Sequence, residues 1–298
     1  MSRHRRTPHL QSAPAAVAAI VAAALLVSCG GPAAPPAVEV QAALVDRIPD
    51  EITAAAWRGV PAYTANLLLQ DLVDPRLLTP STPRLTVQAI TDGRRAAFRL
   101  AWEDRTDDDL PGTSRFSDAC AIQIPRRTEP DVPDPQMGQP GRPVDITYWR
   151  ASWQAWADGR PDEIRSLYPG AVVDHYPFDA PALEPGSAEK RAFRTRYAPA
   201  EALDRRMEGP RDRPVQDLVA EGPGSTAPAA EQRSTGRGTR GPAGWEVVLV
   251  RPLPDGLVPG GRSQVAFAVW DGGRGEAGSR KMRTGWVPLS ILAKGGTP

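Results

Sequence analysis

The amino-acid sequence predicts a mainly β protein: an antiparallel, immunoglobulin-like β-sandwich with long loops and a few short helices. Two observations carry this. The 298 residues include 33 prolines and 27 glycines and are only 41% apolar, which imposes many turns and leaves little room for long helices. Several short runs rich in Val, Ile and aromatics are each bounded by turn residues, and two packed sheets are the natural way to bury them.

In chain order, MSRHRR is a positive n-region and AAVAAIVAAALLV (15–27) is an apolar run too short for a comfortable membrane span. Residues 1–28 therefore read as a signal peptide. The Leu-Val-Ser-Cys that ends it resembles a bacterial lipobox, which implies cleavage before Cys29 and lipidation of that cysteine; an ordinary secretory signal that contains a cysteine is the alternative. Arg5 and Arg6 lack the downstream residues of a twin-arginine signal, so the export route stays open. Residues 29–45 read as the lipidated N-terminus and a Pro/Ala linker, and 46–298 as the folded domain, with strand-like text beginning near Val38.

Within the domain, RLTVQAI and RRAAFRLAW alternate on either side of an Asp92-Gly93 turn. Leu85, Val87 and Ala89 share one face, as do Phe98, Leu100 and Trp102, which is a hairpin signature. DRTDDD (104–109) lacks the glycine and the spaced ligands of a calcium loop and reads as a solvated acidic turn. ACAIQIP is a short strand, with Cys120 as a small core residue. The proline-rich stretch 126–143 forms no regular element, and 222–244 is similarly loop-like. In VDITYWRASWQAW, Val144, Ile146 and Tyr148 alternate as a strand, whereas Trp149, Trp153 and Trp156 have helical spacing; the reading is strand, then helical turn. WEVVLVRPL and SQVAFAVWDGG supply two more strands.

Composition removes several functions. A net charge of +1 gives no electrostatic case for nucleic acid or an anionic membrane surface. Beyond the signal segment His175 is the one histidine, which excludes a multi-histidine zinc site and bis-histidine haem ligation within one chain. Only Cys120 accompanies Cys29, so no structural disulfide is available, and there is no Cys-x-x-Cys-His for covalent haem. No P-loop, nucleophile elbow or dinucleotide fingerprint occurs, and His175 alone is poor support for a hydrolase.

Two residues are out of place. Of 36 basic residues only Lys190, Lys281 and Lys294 are lysines, and Lys281 stands between Arg280 and Arg283. Unlike arginine, a buried lysine gives up its proton and then offers a nitrogen lone pair. Met137 sits in the Pro/Gly loop DPQMGQPG without apolar neighbours, and its thioether is a soft ligand. Core filling and solvated loop positions are the ordinary roles of such residues.

QVAFAVWDGGRGEAGSRKMRTGWVPL (264–289) resembles the C-terminal signature of the haem-binding γ subunits of ethylbenzene and dimethylsulfide dehydrogenases, a subunit type also carried by selenate, chlorate and nitrate reductases. RRAAFRLAWEDRT, FSDACAIQIP, MGQPGRPVDITYWRASWQ, VQDLVAEGPGS and GWEVVLVRPL fit that family in order along the chain. The resemblance implies one haem b with Met137 and Lys281 as axial ligands. Met282 is a rival, but adjacent extended residues face opposite ways. Trp270 and Trp286 are expected to wall the site, and Arg280 and Arg283 to pair with the propionates. The implied protein is a non-catalytic electron-transfer subunit. Its expected partners are an iron–sulfur subunit, a molybdenum catalytic subunit and an external cytochrome or quinol-linked carrier, with the complex held by lipid at the outer face of the cytoplasmic membrane. The alternative is a haem-free, lipid-anchored β-sandwich that binds a ligand or a protein.

Overall fold

Period-two alternation in the sequence becomes fourteen strands in the computed structural model, which describes residues 37–49, 54–161 except 111 and 113, and 212–293, with 165, 168–170, 184, 186–197 and 210 between them. The strands are β1 (Val40–Leu44), β2 (Tyr63–Asn66), β3 (Leu68–Leu69), β4 (Arg84–Thr91), β5 (Arg95–Glu103), β6 (Ala119–Pro125) and β7 (Val144–Arg150), then β8 (Val215–Ala220), β9 (Ala227–Pro228), β10 (Thr235–Gly241), β11 (Gly244–Pro252), β12 (Arg262–Trp270), β13 (Met282–Arg283) and β14 (Val287–Ile291). Two α-helices, α1 (Ala151–Ala157) and α2 (Ala188–Tyr197), and two short 3-10 helices, Ala54–Trp57 and Gly272–Arg274, complete the described elements, and no helix is long and apolar enough to cross a membrane.

One layer runs β10-β11-β5-β4-β1-β14 and the other β6-β7-β8-β9; β12 joins them. Its first half, Arg262 to Val265, pairs with β14, and its second half, Ala266 to Trp270, pairs with β6. Pairing is antiparallel except at β1, which lies parallel to both β4 and β14. β1 falls within the stretch 29–45 that the sequence reads as linker. Val40 and Ala42 are buried in the main core, so β1 belongs to the folded part, which does not begin as late as residue 46.

The main core fills the space between the layers. Leu85, Val87 and Ala89 of β4 and Phe98, Leu100 and Trp102 of β5 face it from one side, as the hairpin pattern requires. Cys120, Ile122 and Ile124 of β6 and Trp149 of β7 face it from the other. Trp149 meets Trp102 and Trp245 edge to face at 6.5 and 5.0 Å between ring centroids, contacts worth about 0.5–1.5 kcal/mol each beyond area burial. Burial pushes the Cys120 thiol pKa well up, in keeping with an inert core residue.

Two loop readings need correction. Thr235–Gly241 is not loop but strand β10, paired along its length with β11. Its glycines, which read as loop composition, are there for close approach: a Cβ on Gly238 would stand 2.1 Å from Trp149 Cζ2. Nor is the acidic turn solvated throughout, since Asp104 is only 6% exposed and its Oδ1 accepts a hydrogen bond from the Thr106 amide.

A cavity on the outer face of one layer

Alternation gives each strand of the second layer two jobs. While Cys120 and Ile122 point into the main core, Ala121 and Gln123 point the other way. Ile146 and Tyr148 of β7, Leu218 of β8 and Ala266, Ala268 and Trp270 of β12 join them on this outer face. Three alanines leave room above the sheet, and segments around 70–74, 135–137, 223–226 and 278–284 rise around it. The result is a cavity of about 510 Å³, within the roughly 300–1,000 Å³ usual for small-molecule and cofactor sites.

Met137 lines this cavity from the proline-rich loop. Its φ is +70°, a left-handed conformation rare for an unbranched side chain other than Asn or Asp and costing on the order of 1–3 kcal/mol. The surroundings enforce it. The Gly222 amide donates to the Met137 carbonyl at 2.8 Å and the Gly138 amide to the Asp134 carbonyl at 2.9 Å. Gly138 cannot be replaced freely, because a Cβ there would lie 2.8 Å from the Arg142 carbonyl oxygen. Gln123 Nε2 holds the same loop through the Pro135 carbonyl at 3.0 Å, and Trp286 Nε1 holds it through Pro133 at 2.6 Å.

Lys281 lines the cavity from the opposite segment. Its carbonyl accepts from the Gln70 amide at 3.1 Å, and Gln70 Nε2 also donates to the Ser279 carbonyl at 3.0 Å, so the segment is tied to the chain that follows β3. Nζ lies 5.1 Å from the centroid of the Trp270 ring. Among the described residues no salt bridge compensates it. Burial, and then the charge of Arg283, pull its pKa down to about 8.

The other residues singled out in the sequence divide. Trp270 and Arg283 line the cavity. Trp270 Nε1 donates to the Gly278 carbonyl at 3.0 Å and its ring meets Tyr148 at 5.3 Å. Arg283 Nε is buried without a hydrogen-bond partner. Arg280 and Trp286 do not line the cavity: the Arg280 guanidinium lies over Phe116, 5.8 Å from its ring centroid, and Trp286 packs beneath the Met137 loop. Met282 is 2% exposed and belongs to the main core, facing away from its neighbour Lys281. Cys29 and His175 lie outside the described residues. Sequence reasoning passed over Gln70, Tyr148 and Gln123, whose positions emerge only when strands far apart in the chain pair.

The family model described as ethylbenzene dehydrogenase matches residues 54–282. A putative respiratory nitrate reductase heme subunit of Haloferax mediterranei is 32% identical over 182 residues, 59% of this chain and 62% of that protein. Chlorate reductase subunit gamma of Ideonella dechloratans is 25% identical over 227 residues, 74% of this chain and 70% of that protein. Among solved structures, a family 9 carbohydrate binding module of Caldicellulosiruptor kristjanssonii in complex with cellotriose aligns over 87% of this chain and 97% of its own, at 10% identity and a TM-score of 0.37.

Proposed function

The chain belongs to the ethylbenzene dehydrogenase family, and from that premise we propose that it is the haem b electron-transfer subunit of an exported molybdenum oxidoreductase complex. The observation that carries the reading is a pair of donors lining one cavity: the Met137 thioether on a strained loop, and the Lys281 amine, its pKa drawn down to about 8 and without a salt bridge among the described residues. A thioether and a neutral amine suit low-spin haem iron, and apolar walls suit a porphyrin face. Haem, when bound, supplies a one-electron couple. Met137 through its thioether and Lys281 through its amine would hold the haem iron, and the group so held would serve electron transfer rather than catalysis. Arg283, with its buried, unpartnered Nε on the cavity wall, is the proposed partner for a propionate. Trp270 shields the Lys281 amine from water.

The relatives' names support the wider setting, since one is a haem subunit and the other the γ subunit of a reductase. In that setting the substrate chemistry belongs to a separate molybdenum subunit. Electrons would pass between an iron–sulfur subunit and an external cytochrome or quinol-linked carrier. A lipid on Cys29 would hold the complex at the outer face of the cytoplasmic membrane.

Absorption spectra of the purified, haem-supplied protein, oxidised and reduced, test the reading. Sharp low-spin b-type bands are expected, lost on Lys281→Arg and altered on Met137→Ala. A colourless protein, or bands that neither substitution changes, would overturn it.

A further inference from the structure

Three strand ends meet at one edge of the sandwich. Asp104 follows β5, Asp118 precedes β6 and Asp271 follows β12. Because Ala119 pairs with Trp270, Asp118 and Asp271 leave the sheet side by side. One carboxylate oxygen from each of the three lies within 4.8 Å of the others, and Asp118 and Asp104 are 0% and 6% exposed. Among the described residues no salt bridge reaches any of them. Arg240, close by, gives its guanidinium to the carbonyls of Asp104 and Thr106 instead.

Acidic side chains can gather without holding anything, but two further observations point to a ligand. Asp104 Oδ2 is buried with no donor, although the residue is almost wholly enclosed, and Oδ2 of the half-buried Asp108 is likewise enclosed without a donor. Beside Gly273 lies a point at which oxygens converge. A Cβ built on that glycine would stand 2.5 Å from Thr106 Oγ1, 2.9 Å from Asp108 Oδ2 and 3.3 Å from Asp271 Oδ1. A bare glycine keeps this point open.

The supporting hydrogen bonds hold the carboxylates as acceptors. Asp118 Oδ1 accepts from the Gly272 amide at 2.8 Å, and its Oδ2 from the Asp108 amide at 3.1 Å and Trp245 Nε1 at 2.9 Å. Asp271 Oδ1 accepts from the Arg274 amide at 3.0 Å. Such donors fix the direction of each headgroup and leave its remaining lone pairs free, which is how second partners orient metal ligands.

We propose that Asp104, Asp108, Asp118 and Asp271, with Thr106 Oγ1, bind a calcium ion that clamps the ends of β5, β6 and β12. The donor set is entirely oxygen, which selects a hard cation over zinc or copper. Ligands drawn from three separate segments, with mixed carboxylate and hydroxyl character, suit the large and adaptable shell of calcium better than the small octahedron of magnesium. The ion also fixes the start of the segment that leads from Asp271 through the turn Gly272–Arg274 to Lys281. Its binding requires no haem, so it stands or falls apart from the reading of the cavity.

The test uses the full-length, haem-free chain dialysed against EGTA. Calcium chloride should raise the melting temperature saturably, and equilibrium dialysis with radioactive calcium should give one ion per chain. Asp104→Asn should weaken calcium binding by at least about tenfold. In EGTA that variant should melt no lower than the unsubstituted protein, since a like-charge contact is relieved. Asp108→Asn, on the turn itself, should weaken binding in the same way and serves if Asp104→Asn does not fold. No calcium-dependent shift, an unchanged calcium response in the folded variants, or an equal response to magnesium would overturn the proposal.

Discussion

Replacing Lys281 with leucine should make the haem-free protein more stable at neutral pH. The Lys281 ammonium is enclosed by the cavity walls beside Arg283, and its pKa is about 8 against an ordinary 10.5. That difference, at about 1.4 kcal/mol per unit, means the folded state carries a strain of at most about 3–4 kcal/mol while the lysine is charged. The sign follows from proton counting. Between pH 8 and pH 10.5 the unfolded chain keeps the proton that the folded one has released, so stability rises with pH across that window. Below pH 8 both states are protonated and the strain is full. Lys281→Leu removes the charge, so its melting temperature should exceed that of the unsubstituted chain at pH 7 by up to roughly 5–10 °C. The advantage should shrink as pH rises toward 10.5, and the assay is a set of thermal melts of both haem-free proteins from pH 7 to 10.5. A variant less stable at pH 7, or a gap independent of pH, would refute the argument that the cavity strains the ammonium. The same numbers bear on ligation. Holding the amine neutral at pH 7 costs about 1.4 kcal/mol here, against nearly 5 for an exposed lysine, because burial has already removed most of the free-energy cost of deprotonation.

Two further substitutions probe other parts of the molecule. Arg283→Gln should weaken haem binding about tenfold, in line with a charged hydrogen bond of about 1.5 kcal/mol. The two proteins should bind haem dimethyl ester, which has no free propionates, equally well by spectroscopic titration; an equal loss for the ester would show that Arg283 acts through packing. Gly238→Ala should destabilise the fold by about 1–3 kcal/mol, because its methyl would stand 2.1 Å from Trp149 Cζ2 at the centre of the core. Urea unfolding at constant slope measures this, and an unperturbed midpoint would mean that β10 can shift away from the tryptophan.

Local signals were legible where neighbours in sequence are neighbours in space. The Asp92-Gly93 hairpin is one case: Ala89 and Phe98 pair as the alternation requires, and both are buried. The strand-then-helix reading of 144–157 is another, since β7 gives way to α1 at Ala151. β10 was illegible because glycine composition describes a loop and a close-packed strand equally well, and only the Trp149 ring across the core distinguishes them. The strand-like text near Val38 is β1, but its pairing was hidden because a parallel strand has no hairpin partner to announce it. Lys281 stood out by rarity and Met137 by its Pro/Gly loop, but the cavity floor did not, because Ala121, Tyr148 and Ala268 become one surface only when β6, β7 and β12 are side by side. Asp104, Asp118 and Asp271 are scattered for the same reason, and no linear calcium motif can register them.

The choice between Lys281 and Met282 as a cavity donor reduces to the register of a two-residue strand. β13 is held on both sides, with Val269 of β12 opposite Met282 and Leu69 of β3 opposite it again. Since side chains alternate, a slip of one residue would turn Met282 into the cavity and drive the Lys281 ammonium into the apolar space beside Phe267 and Val269. The cost of burying that charge without a partner far exceeds what two residues of backbone pairing contribute, so the core itself forbids the slip. Thr284 adds a lock: its Oγ1 accepts from the Phe267 amide at 2.9 Å while its own amide donates to the Phe267 carbonyl at 2.9 Å. The nitrogen donor is thus set by the main core on the far side of the sheet, where Met282 is sealed, as much as by anything inside the cavity.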